Sequence, residues 1–199
     1  MTLTKALDTI TAWVQANVCD GLSFKVPDDK VMDAGYTHQT ATPTAFSMFI
    51  PAKDRMAPPA PPQFPCCCVQ IITGEDRPQE SSRLLDVRLC FATWSPGHYG
   101  RDDYIADKDG GFTRSDANTY AKNEDGWRDS WNFLDAALAE LESNDTIDGI
   151  RIAAENGFRY GPFVDEQKAV ADLWPYWFTW LEFRADLGLV RKSPHDDLL

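Results

Sequence analysis

Apolar residues recur at spacings of three and four in two segments, which predicts two amphipathic helices. The first is expected over residues 3–18, with a stripe formed by Leu3, Leu7, Ile10, Val14 and also Trp13. The second is expected over residues 127–141, with a stripe formed by Trp127, Trp131, Leu134, Leu138 and Leu141. Because this second pattern spans only two heptads, a helix packed on a core is favoured over a coiled coil.

Alternation of apolar and polar residues predicts the principal strands. It is most regular over residues 83–94, where the inward positions are Leu85, Val87, Leu89 and Phe91. An apolar strand is expected at 66–73, and the stretch 74–78 is expected to be the turn of a β-hairpin. Shorter strands are expected at 22–26, 45–50 and 147–154. A last strand, 176–187, has one face with Trp177, Leu181, Phe183 and Ala185, and a second face that begins with Tyr176, Phe178 and Trp180.

The segments between these elements differ in character. Residues 57–65 are rich in proline, which fixes φ and lacks an N–H donor, so a stiff extended connector is expected. Residues 95–123 are rich in Gly, Asp and Asn and predict a long loop, with a missed short element or a disordered insertion as alternatives. A disordered tail is expected at 192–199. The element order favours one α+β domain over 1–191, with a mainly antiparallel sheet and two principal helices on one face.

The chain is strongly acidic, with a formal net charge of −12. It has no basic run that could displace counterions from phosphates, so a surface that grips DNA is not expected. The five cysteines lack metal-site spacing, and three are adjacent at Cys66, Cys67 and Cys68, which is a poor disulfide framework. Buried reduced thiols are expected. Neither a signal peptide nor a membrane span is evident, so a soluble protein made in a cytoplasm is expected.

Candidate chemistry is weak along the whole sequence. Asp107 and Asp109 resemble part of a calcium loop, but Ile105 stands where the first acidic ligand belongs, so a solvated acidic turn is favoured. The three histidines, His38, His98 and His195, are far apart in the sequence. Nucleophile and phosphate-loop motifs are absent from the sequence. The chain is therefore expected to be neither an enzyme nor a carrier of a metal or cofactor.

The arrangement of elements resembles the tail terminator, or tail completion, proteins of long-tailed bacteriophages. The resemblance comprises the opening helix, the strand pair 66–73 and 83–94, and the long loop before the helix 127–141. It closes with the aromatic strand 175–183, since such proteins often end in a W/Y-x-F-x-x-x-F strand. The Pro-rich segment and the region 28–50 depart from the compact family pattern.

This resemblance implies a virion structural protein that forms a ring, usually hexameric, on the end of the tail tube. The ring ends tube polymerisation and offers a face to the head connector. The implied partners are copies of the chain, the major tail tube protein and head–tail connector proteins, with DNA passing through unbound and no membrane involved. The implied location is the tail–head junction of the virion, after assembly in the host cytoplasm.

The long loop is the hypothetical docking surface of such a subunit, because aromatic residues lie among charges there. The candidate contact residues are Trp94, Tyr99, Arg101, Asp102, Asp103, Tyr104 and Phe112. An acidic inhibitor or DNA mimic is the alternative function, because it explains the charge equally well. An enzyme is the third, and a cluster of perturbed carboxylates in a deep pocket would favour it.

Overall fold

The computed structural model describes residues 1–28, 39–52, 55–56, 59–99, 104–106, 112–114, 120–122 and 125–188. This part of the chain contains two α-helices, α1 (Leu3–Val14) and α2 (Trp127–Ser143), and a π-helical turn, Gln15–Cys19, that extends α1. The strands in chain order are β1 (Phe24–Lys25), β2 (Thr40–Ala41), β3 (Thr44–Ser47), β4 (Cys66–Arg77), β5 (Ser82–Trp94), β6 (Gly97–Tyr99), β7 (Tyr104–Ala106), β8 (Phe112–Arg114), β9 (Tyr120–Lys122), β10 (Thr146–Ile147), β11 (Ile150–Ile152), β12 (Arg159–Pro162) and β13 (Tyr176–Asp186).

Seven of these strands form one sheet in the order β10-β11-β13-β5-β4-β3. Strand β12 also pairs with β13, on the same side of β13 as β11. All pairings are antiparallel except the one between β3 and β4. The α+β prediction with a mainly antiparallel sheet is therefore confirmed.

Both helices pack on the same face of this sheet. The inward positions of β5 lie opposite those of its neighbours, since Leu89 pairs with both Val69 and Leu181. Helix α1 contributes Ile10 and Val14 to this core, and α2 contributes Phe133, whose ring lies 4.8 Å from that of Phe91. Burying a side chain of this size stabilises the fold by about 1.5–3 kcal/mol.

The inward stripe of α2 differs from the predicted one. Phe133, Leu134 and Leu141 are buried, as are the small residues Ser130 and Ala137. Trp127 is instead 41% exposed, and Trp131 is only half-buried. The sequence contains two adjacent apolar stripes on this helix. The stripe that packs on the sheet is the one with the small residues Ser130 and Ala137, which permit close approach.

The hairpin turn also lies further along the chain than predicted. Residues 74–77 continue β4, and the turn occupies residues 78–81. Pairing extends to Arg77 and Ser82, after a register shift between Ile71 and Thr73. The ion pair of Asp76 with Arg83, at 2.6 Å, spans the two strands near their ends. Polar composition predicted a turn here, whereas cross-strand pairing keeps the segment extended.

Several short strands were not predicted. The segment 95–123 contains β6 paired with β9 and β7 paired with β8, so of the alternatives for this segment the structure shows short elements that the sequence reading missed. Three-residue strands are too short to show alternation. Strand β12 contains Gly161 and Pro162, which are rare in strands but tolerated at an edge. The predicted strand 147–154 is divided into β10 and β11 by a two-residue turn, Asp148 and Gly149, both with positive φ.

Other predictions fall on less regular parts of the chain. Residues 59–65 of the Pro-rich connector form neither helix nor strand. The tail 192–199 lies outside the described residues. Among the helices that the structure describes, none has the length and apolar character needed to cross a bilayer.

Candidate protein-contact surface

A short hairpin, residues 163–171, projects from the sheet just after β12. Its base is fixed to β13, because the Phe163 N–H donates to the Phe178 carbonyl at 3.1 Å. Val164 and Val170 pair across it. One carboxylate oxygen of Asp165 accepts the N–H groups of Gln167 and Ala169, both at 2.9 Å, and this closes the turn. The hairpin is therefore a well-anchored projection.

The hairpin presents large apolar side chains to solvent. Val170 is 68% exposed and Phe163 is 52% exposed, and Val164 and Trp127 are exposed as well. These four residues, Trp127, Phe163, Val164 and Val170, are called the hairpin patch below. Clustered apolar exposure of this kind marks contact sites for other proteins. Leu173 and Trp174, which follow the hairpin, are also exposed.

An apolar groove of about 260 Å³ lies between the hairpin and the first turns of α2. Its lining includes Trp127, Trp131, Phe163, Val170, Ala171 and Phe178. The rings of Phe163 and Phe178 lie 6.3 Å apart and form part of the wall. The lining contains no carboxylate, histidine or thiol. The groove is therefore suited to bind apolar groups.

A second groove, of about 370 Å³, is polar and lies along β13 and its neighbours. Its charged side chains already form ion pairs. Arg184 contacts Asp86 at 2.8 Å, while Glu182 accepts from Arg88 and lies 3.8 Å from Arg159. Pairs this exposed contribute little stability, about 0–1 kcal/mol each. Both carboxylates of this groove, Asp86 and Glu182, are thus engaged in ion pairs.

The cysteines form a buried group around β4. Cys67 enters the core, whereas Cys68 lies on the outer face opposite Cys90. Burial raises the pKa of the Cys68 thiol to about 11, with a further contribution from Cys90. Burial also raises the pKa of Cys19 to about 12, with a smaller effect from Asp20. Cys19, Cys66, Cys67 and Cys68 are buried as the sequence predicted, whereas Cys90 is only partly buried. A thiol with a raised pKa stays protonated at neutral pH.

Metal-binding chemistry finds no support in the described part of the chain. No group of three or more His, Cys, Asp or Glu side chains is arranged there to hold a metal ion. Asp107, Asp109, His38 and His195 lie outside the described residues, and His98 belongs to β6.

The predicted contact residues of the long loop are dispersed over several short elements. Trp94 ends β5 and is only 4% exposed, so the structure removes it from the set of surface contacts. Tyr99, Tyr104 and Phe112 lie on β6, β7 and β8. Arg101, Asp102 and Asp103 lie outside the described residues.

The hairpin patch was missed in the sequence. Its signal was present, because apolar residues 163–164 and 169–171 flank the polar stretch Asp165, Glu166, Gln167 and Lys168. Only the fold places Trp127 beside this hairpin.

Comparison with known protein families, with characterised proteins and with solved structures finds no significant match for this chain.

Proposed function

We propose that this chain is a structural subunit of the phage tail-terminator type, which acts through protein contacts. In this role it forms a ring with copies of itself, caps the tail tube, ends tube polymerisation and provides a face for the head connector. The exposed hairpin patch beside an apolar groove is the observation that carries the proposal. A subunit that assembles needs such a surface, whereas an isolated monomer does not.

The net charge of the chain supports the same role. A subunit with a charge of −12, repeated around a pore, repels the phosphates of a passing duplex. Such a lining lets DNA move without being held. The expected partners are other copies, the tube protein and connector proteins, and the expected location is the tail–head junction.

If a tail tube protein is encoded beside this chain, polymerising that protein with and without the purified chain tests the proposal. We expect electron micrographs to show rings at tube ends and tubes that stop growing. The variant Val170→Asp places a charge in the hairpin patch and should let tubes overgrow. Ile72→Asp is the matched control, because Ile72 is 45% exposed but lies at the register shift of β4, away from the patch.

Either of two results contradicts the proposal. Tubes that grow without limit in the presence of the unmodified chain exclude a terminator. Equal capping by Val170→Asp and the unmodified chain excludes the hairpin patch as the surface that acts.

A DNA mimic is the second candidate, and helix α2 favours it. The helix carries Asp129, Asp135, Glu140 and Glu142, Asp145 follows it, and Arg128 is the only basic residue of α2. A mimic should bind a DNA-binding protein as a monomer, with an affinity that falls as salt rises. Sedimentation with such a basic protein at two salt concentrations distinguishes the mimic from a ring-forming subunit.

A further inference from the structure

The two edges of the large sheet carry complementary apolar features. Strand β3 forms one edge, and β12 with the 163–171 hairpin lies at the opposite edge. Strands β13, β5 and β4 lie between β12 and β3. The four spacings of ~4.8 Å put the two edges about 19 Å apart. One edge carries an exposed aromatic side chain, and the other carries the apolar groove.

The exposed side chain is Phe49, which lies two residues after the end of β3 and is 68% exposed. Hydrogen bonds hold the chain on both sides of it. The Gln70 amide donates to the Met48 carbonyl at 3.0 Å, and the Gln63 amide donates to the Pro51 carbonyl at 2.8 Å. Phe49 is thus presented to solvent by an anchored turn, although an exposed phenyl ring is unfavourable in water.

Part of the backbone at the β3 edge is already engaged by a side chain. The side-chain oxygen of Gln15 accepts the Ala45 N–H at 2.8 Å, and its amide group donates to the Pro43 carbonyl at 3.2 Å. Side chains are therefore favoured for a contact at this edge, and Phe49 is the most exposed large apolar side chain among the described residues there.

The groove at the other edge fits such a side chain. Its volume of about 260 Å³ exceeds the ~150 Å³ of an apolar cavity that holds a benzene molecule. Its aromatic lining offers the offset and edge-on ring contacts that a phenyl ring prefers.

The charges around the two features are also complementary. Of the described residues 48–52 and 55–56, only Arg55 is charged, which gives +1. Residues 163–172 contain Asp165, Glu166 and Asp172 against Lys168, which gives −2. In a chain with a net charge of −12, such a pairing offsets part of the repulsion between copies.

From this geometry we infer that Phe49 of one copy inserts into the apolar groove between the 163–171 hairpin and α2 of the next copy. The two copies then meet head to tail. Because the two features lie at opposite edges of one subunit, the contact is heterologous, and repetition gives a ring or a filament. The inference deepens the proposed function and rests on it for the choice of a closed ring.

Sedimentation velocity of the purified chain, without tail tubes, tests the junction. The unmodified chain should form species larger than a dimer as its concentration rises to about 1 mM. Phe49→Ser removes the inserted ring, and Val170→Asp charges the groove. Each variant alone should associate about 10–100-fold more weakly, as expected for a lost phenyl contact. Ile72→Asp, the matched control, should behave like the unmodified chain.

A mixture of the two variants gives the decisive result. The groove of Phe49→Ser is intact, and so is the Phe49 ring of Val170→Asp, so an equal mixture should form a dimer and stop there. The inference is overturned if the unmodified chain stays monomeric, if either variant associates like the unmodified chain, or if the mixture stays monomeric. Loss of tube capping with an intact junction would instead count against the proposed function alone.

Discussion

Thr93 on β5 is fully buried, and its hydroxyl oxygen lacks a hydrogen-bond partner. A buried hydroxyl without a partner has lost its hydration without compensation. The substitution Thr93→Val should therefore stabilise the fold by about 1 kcal/mol. The free energy of unfolding in urea measures this change.

Thr179 provides the matched control on the neighbouring strand. It is also buried, but its hydroxyl donates to the Ser130 carbonyl at 3.0 Å. Thr179→Val should destabilise the fold by about 1 kcal/mol, because this bond is lost. Equal effects of Thr93→Val and Thr179→Val on the free energy of unfolding would contradict the claim that the Thr93 hydroxyl has no hydrogen-bond partner and the Thr179 hydroxyl has one.

Gly126 precedes α2 at a point where a side chain has no room. A Cβ there would lie 2.6 Å from the Ser95 carbonyl oxygen and closer still to Trp177 Nε1. These two atoms are themselves joined by a hydrogen bond of 3.0 Å. Gly126→Ala should therefore lower the free energy of unfolding by about 1–3 kcal/mol, as overpacking does.

Gly21 is the control for this substitution, because a Cβ there meets no atom within 4 Å. Gly21→Ala should leave stability unchanged or raise it by about 0.5 kcal/mol, since it restricts the unfolded chain. Thermal or urea unfolding of both variants checks the contrast.

At the scale of elements, β4 should make the fold sensitive to alkaline pH. Burial raises the pKa of its Cys68 thiol to about 11, whereas an unfolded thiol ionises near pH ~8.5. A group whose folded pKa is raised contributes stability that is complete below the unfolded pKa and is lost as pH rises toward the folded pKa. Stability should therefore fall between about pH 8.5 and 11.

Urea unfolding between pH 7 and 10.5 measures this loss. Each thiol kept protonated by the fold should contribute about 1.4 kcal/mol per pH unit in this window. Cys68→Ala should reduce the slope of the unfolding free energy against pH by about 1.4 kcal/mol per pH unit. An unchanged slope in this variant would show that the Cys68 thiol ionises as easily in the folded chain as in the unfolded chain.

The elements differ in how well the sequence predicted them. The core faces of β5 and β13 were correct, because alternation over more than ten residues is a strong signal. The α1 helix was also correct, although Leu3 at its first turn is exposed. The turn at 74–78 was wrong, because a polar composition does not distinguish a turn from the exposed end of a long hairpin.

At the scale of the whole molecule, the net charge of −12 makes tight contact with DNA unfavourable. We expect no retention of a short duplex by the purified chain at low salt, where electrostatic attraction would be strongest. Filter binding over a salt series checks this. Binding whose logarithmic affinity falls linearly with the logarithm of salt concentration would reveal a cationic surface. Such binding would contradict the proposed pore lining.

The sequence by itself determined the features that depend on neighbours along the chain. These are the helical period of α1 and α2, the alternation of β5 and β13, the excess of carboxylates and the α+β class. The helical period and the strand alternation follow from the order of residues within one element, the charge follows from composition, and the α+β class follows from the order of the elements along the chain.

Only the tertiary structure decided which elements meet. The stripe of α2 that faces the sheet, and the placing of Trp127 beside Phe163, depend on contacts between distant segments. Strand β13 pairs with β5 along its whole length, although about ninety residues separate the partners. The groove and the opposite edge with Phe49 exist only once these pairings are made. Local pattern fixes which side chains share a face, and long-range pairing fixes what that face meets.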